Sequence, residues 1–307
     1  MVLLANQKYA AMVMDVRSGK ILHSENANKQ LHPASLTKMM TLYVVFQAVE
    51  NGEISLDKKI KISRHAASEP PSKLGLRSGQ KVKLRYLIRA AAIKSANDAA
   101  TALGEAIEGS EAAFARRMNR TAKAIGMSRT RFKNAHGLTE TGHLSTAHDM
   151  TILGRHLFYD FPEYYHLFAR KTAFAGSTQV RNTNRRFLNH YRGADGIKTG
   201  YTRAAGFNLV ASANRNGERI ITTVFGGRNT TTRNAQVAKL MDLGFKKAPR
   251  HVKIQKPKPP SYRAIATASP STNISKSLRP QIRPSNSETH ILVSNNSYKS
   301  DIFSALR

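Results

Sequence analysis

The sequence predicts an α+β fold: an antiparallel sheet joining N- and C-terminal strands, packed with a central helical block. Three observations carry this. Strand-like segments open the chain at residues 9–15 and 20–24, helix-like segments fill residues 36–158, and β-like runs return at 206–213 and 219–225 before a last helix. Runs of strand segregated from runs of helix favour α+β over an alternating α/β arrangement. With 40% hydrophobic and 22% charged residues among 307, the chain can fill a sizeable core.

Taken in order, residues 9–15 (YAAMVMD) and 20–24 (KILHS) flank the tight-turn signal Arg17-Ser18-Gly19 and read as a hairpin. Pro33-Ala34-Ser35 leads into a helix from Leu36 to Val49, ended by Asn51-Gly52. Met39, Met40, Leu42, Val44, Val45 and Phe46 spread around that helix, so it is expected to be buried. Residues 57–85 are polar, with turns at Pro70-Pro71 and Ser78-Gly79. Helices follow over Leu84–Ile93, Asp98–Ile107 (stopped by Gly109), Glu111–Ile125 (stopped by Gly126) and Ala147–Phe158. Gly206–Ala213 and Arg219–Phe225 are strands joined through Asn214-Arg215-Asn216-Gly217, and Asn234–Phe245 is the last helix.

From residue 249 the composition changes to Pro, Ser and Asn, with Glu288 and Asp301 the only acids. Such a segment has too little apolar surface to offset its ordering entropy. The expected organisation is a domain over residues 1–248 and a basic, disordered tail over 249–307.

The absence of cysteine excludes disulfides and thiolate metal sites. No apolar run approaches the roughly 20 residues of a membrane span. Met1–Ala5 has neither a charged start nor an apolar stretch long enough for an export signal. Neither a phosphate-binding loop nor a dinucleotide fingerprint is present, and His136, His143, His148 and His156 lack the spacing of zinc hydrolases. No cofactor or metal is therefore expected. The net charge of +30 would attract anionic polymers.

Three short segments carry the chemistry. In Ser35-Leu36-Thr37-Lys38, two side chains three residues apart share one helix face. A serine hydroxyl needs a base, and lysine serves when burial or nearby cations lower its pKa. Ser95-Ala96-Asn97 lies between two helices and can present a hydroxyl and an amide to a cleft, although taken alone it reads as a plain helix cap, with Asn97 or Asp98 opening the next helix. Lys198-Thr199-Gly200, followed by Tyr201, offers a cation and a hydroxyl to a carboxylate, and Gly200 lets substrate backbone approach. Each is weak alone. In this order they form the signature of penicillin-binding proteins and class A β-lactamases.

The chain resembles the low-molecular-weight penicillin-binding proteins, the serine-type D-alanyl-D-alanine carboxypeptidases. The matching stretches are HPASLTKMMTLYVVF, IKSANDAATALGEAIEGSEAAFARRMN, NAHGLTETGHLSTAHDM and DGIKTGYTRAAGFNLVASA. The resemblance implies a transpeptidase-like fold, an acyl-enzyme on peptidoglycan stem peptides ending in D-Ala-D-Ala, and covalent inhibition by β-lactams. It makes Ser35 the nucleophile, Lys38 its proton acceptor and Ser95 a proton relay. Asn97 would hold the substrate peptide, Lys198 and Thr199 the terminal carboxylate, and the backbone N–H groups of Ser35 and Tyr201 the oxyanion. Tyr201 stands where many relatives have histidine. Thr183 and Lys246 stand where some have arginines, which shifts carboxylate binding toward Lys198, with Arg228 a further candidate. His136 would line the cleft or pack as a structural histidine.

The resemblance further implies export to the periplasm or cell envelope. An endopeptidase or a β-lactamase on the same fold, and a non-catalytic basic binder of polyanions or cell wall, are the alternatives. No E-x-x-L-N-like segment, which would favour a β-lactamase, lies between Ser95 and Lys198. No nucleic-acid partner is expected.

Overall fold

The computed structural model describes residues 8–262. Strands β1 (Ala10–Asp15) and β2 (Ile21–Glu25) form the first hairpin, and a 3-10 turn over Ala34–Leu36 enters α1 (Thr37–Glu50). A small hairpin of β3 (Lys59–Lys61) and β4 (Lys81–Lys83) encloses α2 (Arg64–Ser68). Next come α3 (Leu84–Arg89), a π-helical turn over Ala90–Lys94, α4 (Asn97–Glu108), α5 (Glu111–Ala124), α6 (Ala147–Asp160) and α7 (Pro162–Tyr165). A second small hairpin of β5 (Thr172–Ala175) and β6 (Thr178–Arg181), then α8 (Arg185–His190), lead to the long strands β7 (Ala194–Thr202), β8 (Gly206–Arg215) and β9 (Glu218–Gly227). Helix α9 (Thr230–Lys247) follows.

The main sheet has the order β2-β1-β9-β8-β7, antiparallel throughout, so the two ends of the chain meet at β1 and β9. This is the predicted α+β architecture. The near-continuous apolar runs of these strands follow from cover on both faces. Ala11, Val13, Leu209, Ala211, Ile220 and Val224 pack toward Val237, Leu240 and Met241 of α9. Met12, Met14, Val210, Ile221 and Phe225 belong to the larger core of the helical block, alternating with the first set as side chains do along a strand. Helix α1 runs through that block with Thr37–Phe46 buried throughout, as its wide apolar face predicts. Phe46 stacks on Tyr164 at 4.3 Å, and Tyr43 Oη donates to Asp160 Oδ2 at 2.6 Å. Each such large side chain, fully buried, contributes about 1.5–3 kcal/mol.

Local differences from expectation have physical causes. The helix expected over 84–93 changes at Arg89 into a π-helical turn, a widened form common at functional sites, and ends at Ser95 with φ 63°. Helix α9 starts at Thr230 rather than 234 because Asn229 caps it, its Oδ1 accepting Thr232 N–H at 2.8 Å. The elements β3 to β6, α2, α7 and α8 are too short to leave a readable period.

Residues 249–262 form no helix or strand, yet they are tied to the body where disorder was expected. Arg17 Nη2 donates to Pro249 O at 2.8 Å, Gln255 N to Arg17 O at 2.8 Å, and Ser261 N to Ala124 O at 3.1 Å. The remainder of the expected tail, and the N-terminal segment read for an export signal, lie outside the described residues. Among the described residues, no helix is long and apolar enough to cross a membrane.

Candidate active site

Ser35 sits half-buried in the 3-10 turn where the chain enters α1. The turn is held from two sides. Asn208 of β8 donates through Nδ2 to His32 O at 3.0 Å and to Pro33 O at 3.2 Å. Gly137, at φ 90°, packs so closely that a Cβ would stand 1.9 Å from Ala34 O. Ala34 itself is held at φ 50°, a strained conformation of the kind that clusters at active sites. Strand β7 closes in at Gly200, where a Cβ would lie 2.9 Å from Pro33 O and 3.1 Å from Ser35 N. Glycine is thus required for the sheet edge to meet the start of α1.

Lys38, the second residue of α1 and one turn on from Ser35, is fully buried. Its Nζ lies 3.0 Å from Ser35 Oγ, 2.7 Å from Asn97 Oδ1 and 2.7 Å from the carbonyl of His136. Burial, then the charge of Lys198, holds its pKa well below the ordinary lysine value, against the opposing pull of Glu69 and Asp98. A neutral amine has two N–H bonds and one lone pair. Asn97 and His136 can take both N–H bonds, which leaves the lone pair for the hydroxyl proton of Ser35.

The second segment reaches the same place through the left-handed residue Ser95 and the start of α4. Asn97 Nδ2 donates to Pro70 O at 2.8 Å, which fixes its oxygen toward Lys38. The third segment arrives on β7. Lys198 Nζ donates to Ser95 Oγ at 2.8 Å and to Thr199 O at 3.0 Å. Burial, then the charge of Arg233, pushes Lys198 down to about 7. Thr199 Oγ1 donates to Thr183 Oγ1 at 2.7 Å. Tyr201 is exposed and packs on Phe207 at 4.3 Å.

Ser35, Ser95, Asn97, Thr199, Gly200 and Tyr201 line one open cleft of about 340 Å³, with Lys38 and Lys198 buried in its wall. All eight residues singled out in the sequence therefore converge. Arg233 lines the same cleft, 4% exposed, and sequence reasoning passed it over. It corrects the earlier expectation: Lys246 is exposed in the last turn of α9, and Arg228 is exposed outside the cleft lining. A signal existed. Arg233, Val237, Leu240, Met241 and Gly244 are the buried face of α9, so the arginine heads an apolar stripe and must point inward.

His136 presents its backbone to the site. Its carbonyl accepts from Lys38, while its ring turns away toward Glu69 and Glu111. His143 braces α1 through Thr37 Oγ1 at 2.9 Å, and burial pushes it down to about 3. The geometry offers a hydroxyl beside a low-pKa amine, a second hydroxyl beside a second lysine, and a cationic wall of Lys198 and Arg233. Acyl transfer on a substrate bearing a carboxylate uses those groups.

Comparison with known proteins follows the same line. A profile of the peptidase S11 family, described as D-alanyl-D-alanine carboxypeptidase, matches residues 5–229. D-alanyl-D-alanine carboxypeptidase DacF of Bacillus subtilis (strain 168) is 39% identical over 253 residues, covering 81% of this chain and 64% of that protein. The crystal structure of DacD from Francisella tularensis superposes with a TM-score of 0.74 at 35% identity, covering 79% of this chain and 70% of the other. Penicillin-binding protein D2 from Listeria monocytogenes, in its ampicillin-bound form, superposes at 0.69 with 33% identity, covering 80% of this chain and 100% of the other. The chain spans less than two thirds of the length of two curated relatives, 64% of DacF and 61% of DacC from Escherichia coli (strain K12).

Proposed function

The chain belongs to the D-alanyl-D-alanine carboxypeptidase family of serine peptidases, and from that premise we propose that it removes the terminal D-alanine from peptidoglycan stem peptides through an acyl-enzyme on Ser35. The observation that carries this reading is the placement of Lys38 Nζ 3.0 Å from Ser35 Oγ, with its other partners both acceptors. Ser35 Oγ attacks the carbonyl carbon of the penultimate D-alanine and its proton passes to Lys38. The C–N bond breaks, and the leaving amine takes a proton relayed through Ser95. Water then hydrolyses the ester. The backbone N–H groups of Ser35 and Tyr201 hold the oxyanion.

Lys198, Thr199 and Arg233 bind the terminal carboxylate, and Asn97 holds the peptide. Arg233 thus supplies a guanidinium on this wall although Thr183 replaces one found in some relatives. A β-lactam acylates Ser35 by the same attack on its strained amide. Such a substrate puts the enzyme in the periplasm or cell envelope, where a charge of +30 favours contact with anionic envelope polymers.

Incubation with a soluble peptide ending in D-Ala-D-Ala tests the proposal. Release of free D-alanine by the wild-type protein and none by Ser35→Ala is expected. No release by the wild type, or equal release by both, would contradict it.

A further inference from the structure

Behind the cleft, on the far side of loop 134–138, lies a cluster of metal-ligating side chains that the catalytic scheme does not use. His65 lies in α2, Glu69 is the residue after that helix, and Glu111 opens α5. His65 Nε2 lies 3.0 Å from Glu111 Oε2 and 3.9 Å from Glu69 Oε1, and one ligand atom from each of the three residues lies within 4.8 Å of the others. Ligands bonded at about 2.0–2.2 Å to a tetrahedral zinc stand roughly 3.3–3.5 Å apart. Side-chain adjustments of about 1 Å would bring this set to bonding geometry.

Both carboxylates are already oriented. Glu69 Oε1 accepts from Thr101 Oγ1 at 2.9 Å, and Glu111 Oε1 accepts from Ala135 N at 3.0 Å. His136 Nε2 lies 3.4 Å from each of these inner oxygens. Its Nδ1 accepts the Leu138 N–H at 3.1 Å, so the ring proton resides on Nε2 and points at the carboxylates. His136 therefore orients the ligands rather than joining them, as outer partners of metal sites do.

Two adjoining carboxylates, Glu69 being 5% exposed, face the imidazoles of His65 and His136. A divalent cation would neutralise the pair. The His65 side chain is 57% exposed, which leaves an approach from solvent and room for a water as fourth ligand. One imidazole and two carboxylates form a borderline donor set that suits zinc.

We propose that His65, Glu69 and Glu111 bind one divalent transition-metal ion, zinc being the ion that fits, in a structural site bracing the loop whose His136 carbonyl holds Lys38. The sequence did not suggest a metal because positions 65, 69 and 111 follow no recognised ligand spacing. The bracing runs through Glu111, which holds Ala135 N–H one residue before His136.

Calorimetric titration of zinc into the full-length, chelator-treated protein tests the site, with His65→Ala and Glu111→Gln measured alongside. The expected result is saturable binding of one zinc per chain, weakened at least about tenfold in both variants. Zinc should also raise the melting temperature of the wild type more than that of His65→Ala. The His65 side chain is 57% exposed, so this variant is expected to fold, which its circular-dichroism spectrum checks. Absence of saturable binding by the wild type overturns the proposal. So does wild-type affinity and stoichiometry in His65→Ala, whatever the folding of Glu111→Gln.

Discussion

Burial strips Lys38 of water, and the partners left to it, a hydroxyl, an amide oxygen and a peptide carbonyl, carry no formal charge. That environment disfavours the ammonium form and leaves an amine beside Ser35. Lys38→Ala is expected to slow acylation by about 10²- to 10⁴-fold, the range for loss of a general base, with the circular-dichroism spectrum unchanged. Acylation at the wild-type rate would remove Lys38 from its role.

Lys198 gives a prediction with a definite sign. Its folded value of about 7 lies below the ordinary 10.5, so between those values the unfolded chain holds a proton that the folded chain has released. The penalty for burying Lys198 is complete below about pH 7 and fades as pH rises through that window. Lys198→Met is therefore expected to be inactive, yet to gain more stability over the wild type at about pH 6 than at about pH 9 in urea unfolding. An equal gain at both pH values would contradict the assignment.

Arg233→Ala is expected to lower kcat/KM by about 10- to 100-fold, the loss of a charged hydrogen bond, on a peptide with a free C-terminal carboxylate. It should have little effect on an amidated analogue. Equal losses on both would remove Arg233 from carboxylate recognition.

At the scale of elements, the residues readable in the sequence were those whose order and spacing the chemistry fixes. Ser35 and Lys38 share one helix face, and Lys198-Thr199-Gly200 forms a strand edge, so local geometry nearly specifies them. Arg233 belongs to no such segment. It reaches the cleft because α9 packs on the sheet, which the matching of Lys246 to an arginine of some relatives and the choice of Arg228 as further candidate both missed. Strands β1, β2, β8 and β9 and the buried α1 were legible from their apolar runs, whereas of β7 only the Lys198-Thr199-Gly200 edge was. The π-helical turn and the strained residues Ala34 and Ser95 were not, because tertiary contacts impose them.

Gly137 makes that imposition testable. Gly137→Ala places a methyl group against Ala34 O in a backbone conformation that alanine resists. The expected cost is about 1–3 kcal/mol from backbone strain, more if the contact does not relax. Acylation should slow as the Ser35 turn shifts. Unchanged urea unfolding and unchanged acylation would show that this contact does not position the turn.

For the whole molecule, residues 249–262 act as a strap. They join the turn after β1 to the ends of α5 and α1 through Arg17, Ala124 and Gln47, none of which lines the cleft. Truncation after residue 248 is expected to cost about 1–2 kcal/mol of stability, as a few partly exposed hydrogen bonds are lost. Release of D-alanine from a soluble peptide should stay close to wild type. A large fall in kcat would make the strap part of the catalytic unit.

The account depends on Ser35 becoming acylated with Lys38 as its base, and intact-protein mass spectrometry after penicillin treatment reads this directly. A single added penicilloyl mass mapping to Ser35, absent from Ser35→Ala and greatly slowed in Lys38→Ala, is the expected result. An adduct on another residue, or no adduct on a folded wild-type protein, would contradict it.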